Sequence, residues 1–422
     1  MNKITRREFV TAATTTAAAA SILVTPKRAQ AKSSNKTIRH AIIGMGGRSR
    51  AHVQEFTAQA DCEIIAIADI DPSRISRAPK DVTKHSDYRE ILSDKKIDSV
   101  SIATPDHWHT PIAAAALKSG KHVYVEKPCS HTVAEGHYLE KAAETYGKIV
   151  QHGTQGRSSA GYQTGVKFMR DGHLGNVRVA KAINHQLREP IGRAPETDPP
   201  EGVNYDMWLG AAPKHAFTTN RWHYNWHWFW DYGAGDIAND GVHHIDLARW
   251  GLGVGYPNAV SASGGQLFYK DDHETPDTQI VTYEYDECHL IYEMRLWTNY
   301  KLEGHDNGAV FYGDKGKLEM GRSGCDVTLA NGDKRHLGPP SDLTAHVRNY
   351  LDAIHANDTS AVNAPIFEGA VSSSLCHLGN IATRVDRKLN FDHGSRSCKN
   401  DQEANALLTK EYRSGYELPK IG

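Results

Sequence analysis

Residues 38–56 read IRHAIIGMGGRSRAHVQEF, an apolar run that ends in glycines and passes into a helical period. That order is strand, tight turn, helix. Glycines suit the turn at Gly44, Gly46 and Gly47 because a backbone that must approach a pyrophosphate on a helix N-terminus has no room for side chains. Arg48 follows, and Ser49 stands where a third glycine is usual, small but not ideal. A second apolar run, EIIAIADIDP, places Asp69 at a strand end, where its carboxylate can accept hydrogen bonds from a ribose diol. The same charge repels a 2'-phosphate, so NAD is favoured over NADP, although Arg48 and Arg74 stand nearby in the sequence. The alternative is a glycine turn in some other α/β fold.

Outward from this unit the rhythm continues. A third strand, DSVSIATP, precedes an Ala-rich helix (Ile112 to Lys118); the strand HVYVEKP, a helix from Val133 to Tyr146 and the strand KIVQHGT follow. Strands alternating with helices predict a parallel sheet with helices on both faces. Beyond Thr154 the pattern changes. A helix around Tyr162 to Arg170 and a strand in HLGNVRVAKAINHQ lead into an aromatic stretch. QIVTYEYDECHLIYEMRLWTN then alternates at period two, as antiparallel strands with one covered face do. GAVFYGDKGKLEM predicts a hairpin turning at Asp314, Lys315 and Gly316, and two helices, HVRNYLDAIHAND and FEGAVSSSLCHLGNIATRV, precede an irregular tail. The fold class is therefore α/β, a parallel domain followed by an α+β domain on a predominantly antiparallel open sheet, with the cleft between them as the expected site.

Two loops end the third and fourth strands: Thr104-Pro105-Asp106-His107-Trp108-His109 and Glu126-Lys127-Pro128. Ligands bind beyond the carboxyl ends of such strands, so Thr104, Pro105, His107, His109, Glu126 and Lys127 are candidates for the nicotinamide end of the site. A lysine there can hold or move a proton; the alternative for Lys127 is a surface lysine before a proline turn. RWHYNWHWFWDYG (221–233) is the densest aromatic run in the chain. Its faces suit sugar rings or a core, and His223 with His227 could donate to hydroxyls or, if helical, bind a metal; core with pocket wall is the favoured reading, and no metal site is expected. The 49 basic against 50 acidic residues give no reason to expect nucleic acid. Six cysteines without a C-x-x-C pair read as packed thiols.

The motifs GMGGR, ATPDHWH, VEKPCSHTVAEG, DYGAGDIANDGVHHIDLARW, AVFYGDKGKLEM and HLGNIATRVDRKL together resemble the Gfo/Idh/MocA (glucose-fructose oxidoreductase, inositol dehydrogenase) family, and most closely its exported branch with a tightly held cofactor. The resemblance implies a Rossmann domain over residues 37–154, a substrate and oligomerisation domain over 155–395, a C-terminal tail over 396–422, and a homodimer or homotetramer. It implies hydride transfer from a sugar carbinol to NAD(P). The family's lysine falls on Lys127, and its acid/base histidine on His243 of Asn239-Asp240-Gly241-Val242-His243-His244-Ile245-Asp246. On spacing alone His243 and His244 are equal candidates. The first acid of the pattern is Asn239, which can orient a hydroxyl but cannot take a proton. Asp240, one residue on, is expected to point elsewhere on the helix. Substrate contacts are expected from Lys127, Arg188, Trp226, His227, Asn239, Asp240 and His243, with a structural salt bridge as the alternative for Arg188.

The chain opens MNKITRREFVTAATTTAAAASILVTPKRAQA. Arg6-Arg7, an Ala/Thr run of 14 residues from Thr11 to Val24, and Ala29-Gln30-Ala31 predict a twin-arginine signal over 1–31, followed by a tail at 32–36 and export to the periplasm or its equivalent. The run is too short to span a bilayer, so no membrane insertion is expected. An exported compartment supplies little free dinucleotide. A cofactor folded in before export and regenerated in place is therefore expected. One alternative to net oxidation fits that constraint: glycoside cleavage by transient C3 oxidation, elimination and return of the hydride.

Overall fold

The computed structural model describes residues 36–421. The predicted export signal at 1–31 and the tail up to residue 35 lie outside the described residues. Strands β1 (Ile38–Ile43), β2 (Cys62–Ala68), β3 (Thr83–His85), β4 (Ser99–Ile102), β5 (His122–Val125) and β6 (Val150–His152) form a parallel sheet in the order β3-β2-β1-β4-β5-β6. Strand order reverses between β1 and β4, and their carboxyl ends open the crevice where such folds bind ligands. Helix α1 (Ser49–Thr57) follows β1, and α2 (His109–Lys118) begins earlier than the alanine run alone indicates. Helix α3 (Val133–Tyr146) keeps its expected bounds: Thr132 Oγ1 accepts from the Glu135 N–H at 3.2 Å, and Gly147 ends it with a left-handed φ of 58°.

After α4 (Ala160–Arg170) comes β7 (Val177–His185), then the short helix α5 (Gly235–Asn239) and α6 (Gly241–Leu252). Strands β8 (Ala259–Gly265), β9 (Thr278–Glu284), β10 (His289–Arg295), β11 (Asn307–Gly313), β12 (Gly316–Gly321), β13 (Gly324–Leu329), β14 (Lys334–Gly338), β15 (Leu389–Asp392) and β16 (Ser397–Cys398) join β7 in a ten-stranded sheet, ordered β14-β13-β12-β11-β7-β10-β9-β8-β15-β16. Only β7 and β10 pair in parallel within it. Helix α6 covers one face, where Val242, Ile245 and Ala248 meet Leu290, Tyr292 and Phe311. The helix lies so close that a Cβ on Gly241 would stand 2.5 Å from Tyr292 Oη, so glycine is required there. The other face leaves Ile280 48% exposed between fully buried Gln279 and Val281.

Two segments depart from the expected domain plan. Helix α7 (Leu343–Ala356) packs Val347, Tyr350 and Leu351 into the first domain against Ile38, Phe56, Tyr124 and Ile149, and Tyr350 Oη lies 2.9 Å from Ser99 Oγ. Helix α8 (Ile366–Val385) then returns to the second sheet and α3. The tail begins in the second sheet as β16 and continues onto the first domain, where Tyr412 donates to Glu135 at 2.6 Å and the Tyr416 ring sits edge-on to Trp108. All six cysteines are free thiols, five of them buried.

Candidate active site

A cavity of about 420 Å³ opens at the carboxyl ends of β1, β2, β4 and β5 and is roofed by the 207–240 region. Gly44 builds its floor, with φ +90° and an Ala103 carbonyl oxygen 2.6 Å from where a Cβ would lie. Gly46, Gly47 and Arg48 continue the lining, and Asp69 stands at the end of β2. Asp69 Oδ2 accepts from the Met45 N–H at 2.6 Å and Oδ1 from the Asp71 N–H at 2.9 Å, which fixes the carboxylate against the glycine turn. Burial raises its pKa, opposed by those two N–H groups. Ser49 lies behind the turn, where its hydroxyl donates to the Gly46 carbonyl at 2.6 Å. The cradle, the open space above Gly47 and the fixed carboxylate suit the pyrophosphate and ribose of a dinucleotide.

At the other end Glu126 accepts from Arg48 at 2.7 Å and lies 2.9 Å from His52. Burial alone would raise the Glu126 carboxyl, but Arg48 and His52 hold it well below the usual range. Glu126 therefore anchors the turn to the β5 loop. Thr104, Pro105 and His109 line the cavity, and the ring nitrogens of both loop histidines meet backbone carbonyls. His109 is within 2.6 Å of the Pro128 carbonyl and 2.9 Å of the Thr104 carbonyl. His107 lies outside the lining, its Nε2 2.9 Å from the Trp208 carbonyl, and burial lowers its pKa to about 3. Both rings fix loops; the sequence locates them but not the direction they face.

Lys127 Nζ donates to Asn239 Oδ1 at 3.0 Å, and Asn239 Nδ2 donates to Asp236 Oδ1 at 3.0 Å. Asp236 is fully buried and also takes Arg188 at 2.8 Å and Asn184 at 3.0 Å. Asp240 lines the cavity beside Asn239, contrary to the expected helix register. The reason is a break: α5 ends at Asn239 and α6 begins at Gly241, so Asp240 belongs to neither helix. Its Oδ2 accepts from Arg188 at 2.6 Å and Gln186 at 2.7 Å. Burial would raise this carboxyl, yet Lys127 and Arg188 keep it below its ordinary value. Arg188 is outside the lining and holds the two aspartates in place.

The adjacent histidines separate. His244 Nε2 lies 2.8 Å from Asn307 Oδ1 on β11. His243 is half-buried and outside the cavity lining, and its ring makes no hydrogen bond among the described residues. Burial, then Lys127, lower its pKa to about 3, so it is a neutral imidazole. Asp246, the last residue of the pattern, is buried and bidentate to Arg157, at 2.8 Å and 2.9 Å, which anchors α6. In the aromatic run Trp226 and His227 line the cavity with rings stacked at 3.6 Å. His227 Nδ1 bonds the Tyr224 carbonyl, so Nε2 is left as acceptor, and burial lowers its pKa to about 3. His223 also lines the cavity, bound to Asp71 rather than beside His227, and among the described residues no group of three or more His, Cys, Asp and Glu is arranged to hold a metal ion.

Residues 38–154 match the oxidoreductase family's NAD-binding Rossmann fold, and residues 191–418 its C-terminal alpha/beta domain. The chain belongs to the Gfo/Idh/MocA oxidoreductase family. Among curated relatives of this family member, a glycosyl hydrolase family 109 protein of Saccharopolyspora erythraea is 33% identical over 172 residues, 37% of each chain. An alpha-N-acetylgalactosaminidase of Shewanella oneidensis is 32% identical over 173 residues, 34% of this chain and 38% of its own. These matches span little more than a third of the relatives' length. Among solved structures, levoglucosan dehydrogenase in complex with NADH and levoglucosan shares the fold at TM-score 0.66 and 18% identity, over 84% of this chain and 99% of its own. WlbA dehydrogenase of Bordetella pertussis, in complex with NADH and UDP-GlcNAcA, does so at 0.65 and 19%, over the same shares.

This Gfo/Idh/MocA chain also lines its cavity with Trp222, His223 and Tyr224 of the aromatic run read as pocket wall, and with residues that sequence reasoning did not assign, among them Asp71, Asp106, Met207 and Trp208. Asp106 could have been found, since it sits in the TPDHWH loop; it is 2% exposed, and burial raises its carboxyl well above the usual range. Asp236, also in a quoted motif, escaped because its role depends on Asn184 and Arg188, which approach from β7.

Proposed function

We propose that this chain is an exported, NAD-dependent oxidoreductase that moves hydride between a ring carbinol of a pyranoside and a tightly held nicotinamide cofactor, with Lys127 and His243 relaying the hydroxyl proton. One observation carries the reading. A dinucleotide cradle (Gly44, Gly46, Gly47, Asp69) and a polar cluster suited to sugar hydroxyls (Lys127, Asn239, Asp240) share a single cavity. A bound nicotinamide supplies the hydride acceptor. Lys127 is held by a neutral amide rather than an ion pair, so its ammonium can contact a carbinol oxygen and exchange a proton with it. His243 is neutral; the Asp240 charge favours its taking that proton, while burial and Lys127 oppose it, so the proton is passed on rather than held. Asp240 keeps its Oδ1 for a hydroxyl, and Trp226 offers an aromatic wall.

NAD is favoured over NADP because Asp69 and Asp71 stand together at the ribose end, and Arg74 beside them has its Nε 3.8 Å from Asp71. Tight binding follows from the export reading, since a cofactor lost outside the cytoplasm is not replaced. The periplasm or its equivalent is the compartment, reached by the twin-arginine route. No helix among the described residues is long and apolar enough to cross a membrane. The exposed face of the second sheet is the surface for a homo-oligomer.

The relatives named for glycosidase activity favour a second reading: oxidation at C3 acidifies the C2 proton, a base removes it, the aglycone leaves, water adds and the hydride returns. In this reading His227, which lines the cavity with Nε2 as acceptor, is the candidate base. Purified protein given aryl glycosides decides between the two. Oxidised sugar with a matching change in nicotinamide absorbance supports net oxidation. Release of the phenol without net NADH, with solvent deuterium at C2, supports transient oxidation.

A further inference from the structure

The crevice of a parallel α/β domain is open on one side, and a dinucleotide can leave by it. Here that side is crossed by Trp222, His223 and Tyr224, which reach it from the second domain and line the cavity. His223 Nε2 lies 2.9 Å from Asp71 Oδ2, while Tyr224 Oη takes the Asn239 Nδ2 donor at 3.4 Å. Consecutive residues of one strap therefore touch the ribose end of the cleft and the Lys127 end. His223 adopts a left-handed φ of 61°, a conformation side chains rarely take, and this divergence requires the chain to turn sharply there. Trp222 backs the strap by packing on Trp208 at 5.5 Å and Phe217 at 5.4 Å.

Asp71 is itself rigid. Its Oδ1 accepts from the Ser73 N–H at 2.8 Å and its N–H donates to Asp69, the carboxylate at the ribose end. The partner of His223 is thus fixed by the cofactor cradle. We propose that residues 222–224 are a clasp that slows dinucleotide release, fastened by His223 on Asp71, with His223 a positioning residue for the cofactor. The proposal rests on the dinucleotide reading above and supplies a physical means for the tight binding that reading requires.

The test uses the full chain, with NADH as probe. Nucleotide retained after extended gel filtration is quantified, and the NADH dissociation rate is followed by fluorescence during displacement with excess NAD. His223 is about a third exposed at its side chain, so His223→Ala should fold, which far-UV circular dichroism and thermal melting verify. The expected result is dissociation at least tenfold faster in His223→Ala than in the parent, a matching rise in the KM for added nucleotide, and substantial restoration by His223→Gln, whose amide can still donate to Asp71. Equal dissociation rates in the folded variant and the parent overturn the clasp while leaving the dinucleotide reading intact. A parent protein that neither retains nor takes up NAD or NADH overturns that reading, and the clasp with it.

Discussion

Lys127 Nζ donates to Asn239 Oδ1 at 3.0 Å, across the seam between the loop after β5 and the end of α5. The acceptor is an amide where the family pattern has an acid. A carboxylate at this point would form a direct ion pair with the lysine; the amide orients it through a neutral hydrogen bond, with the Asp240 charge nearby. Asn239 in turn rests on Asp236, which Arg188 and Asn184 fix, so the orientation of Lys127 is set by a buried network well outside the reacting atoms.

Lys127→Ala is therefore expected to lower kcat by about 10²–10⁴-fold, the usual worth of a positioned proton-transfer group. Nucleotide recovered from the denatured variant should equal that from the parent. Parent-level turnover with Lys127→Ala would remove the lysine from the chemistry.

His243 and His244 should separate by kind of defect. His244→Ala removes the imidazole from Asn307, whose Oδ1 keeps Gln186, and should cost about 0.5–1.5 kcal/mol of stability, read as a lower midpoint in urea. His243→Ala removes no hydrogen bond and should leave the midpoint near that of the parent while slowing turnover by about 10²-fold or more. A stability loss at 243 with a rate loss at 244 would exchange the two assignments.

Gly44→Ala should abolish nucleotide binding. A methyl group would stand 2.6 Å from the Ala103 carbonyl oxygen at a φ of +90°, so either the turn moves or the cradle fills. The strain adds about 1–3 kcal/mol of destabilisation, and both effects are measurable by calorimetric titration and thermal unfolding.

Five strands of the first sheet were readable because each is a short apolar run ended by glycine, proline or a polar loop, whereas the edge strand β3, Thr83–His85, is polar and largely exposed and was not; α3 was readable because its cap at Thr132 and its stop at Gly147 are both local. Helix α7 was readable as a helix but not in its packing, since an amphipathic stripe of Val347, Tyr350 and Leu351 does not specify which sheet receives it. The site followed the same division. Lys127, Asp69 and the glycine turn lie at strand ends, whose place in the fold is fixed. The clamp of Arg188 on Asp236 and Asp240, and the pairing of His223 with Asp71, join residues far apart in the chain. The turn of Asp240 into the cavity depends on a helix break at Asp240-Gly241, a dipeptide that marks a turn without fixing which side chain enters the cleft.

Buried neutral histidines set the acid limit of stability. Burial lowers His107, His152 and His227 to about 3 and His346 and His377 to about 4, whereas an unfolded chain protonates its histidines near 6.5. Their contribution is complete above about pH 6.5 and is lost as pH falls from there toward the folded values, at up to about 1.4 kcal/mol per pH unit for each histidine. Calorimetry from pH 8 to pH 5 should show Tm falling once pH drops below about 6.5, and His107→Gln should flatten that slope. A Tm that holds constant down to pH 5 would mean these rings are protonated in the folded protein.

The outward face of the second sheet gives the last prediction. Along β9 the buried positions Gln279, Val281 and Tyr283 alternate with Ile280, which is 48% exposed, and Leu267 and Phe268 beside the same sheet are 65% and 57% exposed. A monomer gains nothing by presenting these groups to water, at about 25 cal/mol per Å² of apolar surface. Pairing of two such faces would cover them without touching the cavity, which lies at the strand ends of the other domain. Light scattering should report a dimer or tetramer for the parent. Ile280→Asp combined with Phe268→Asp should shift it toward monomer while leaving nucleotide retention unchanged, because neither side chain lines the cavity. An assembly of unchanged mass in the double variant would assign the oligomer to another surface.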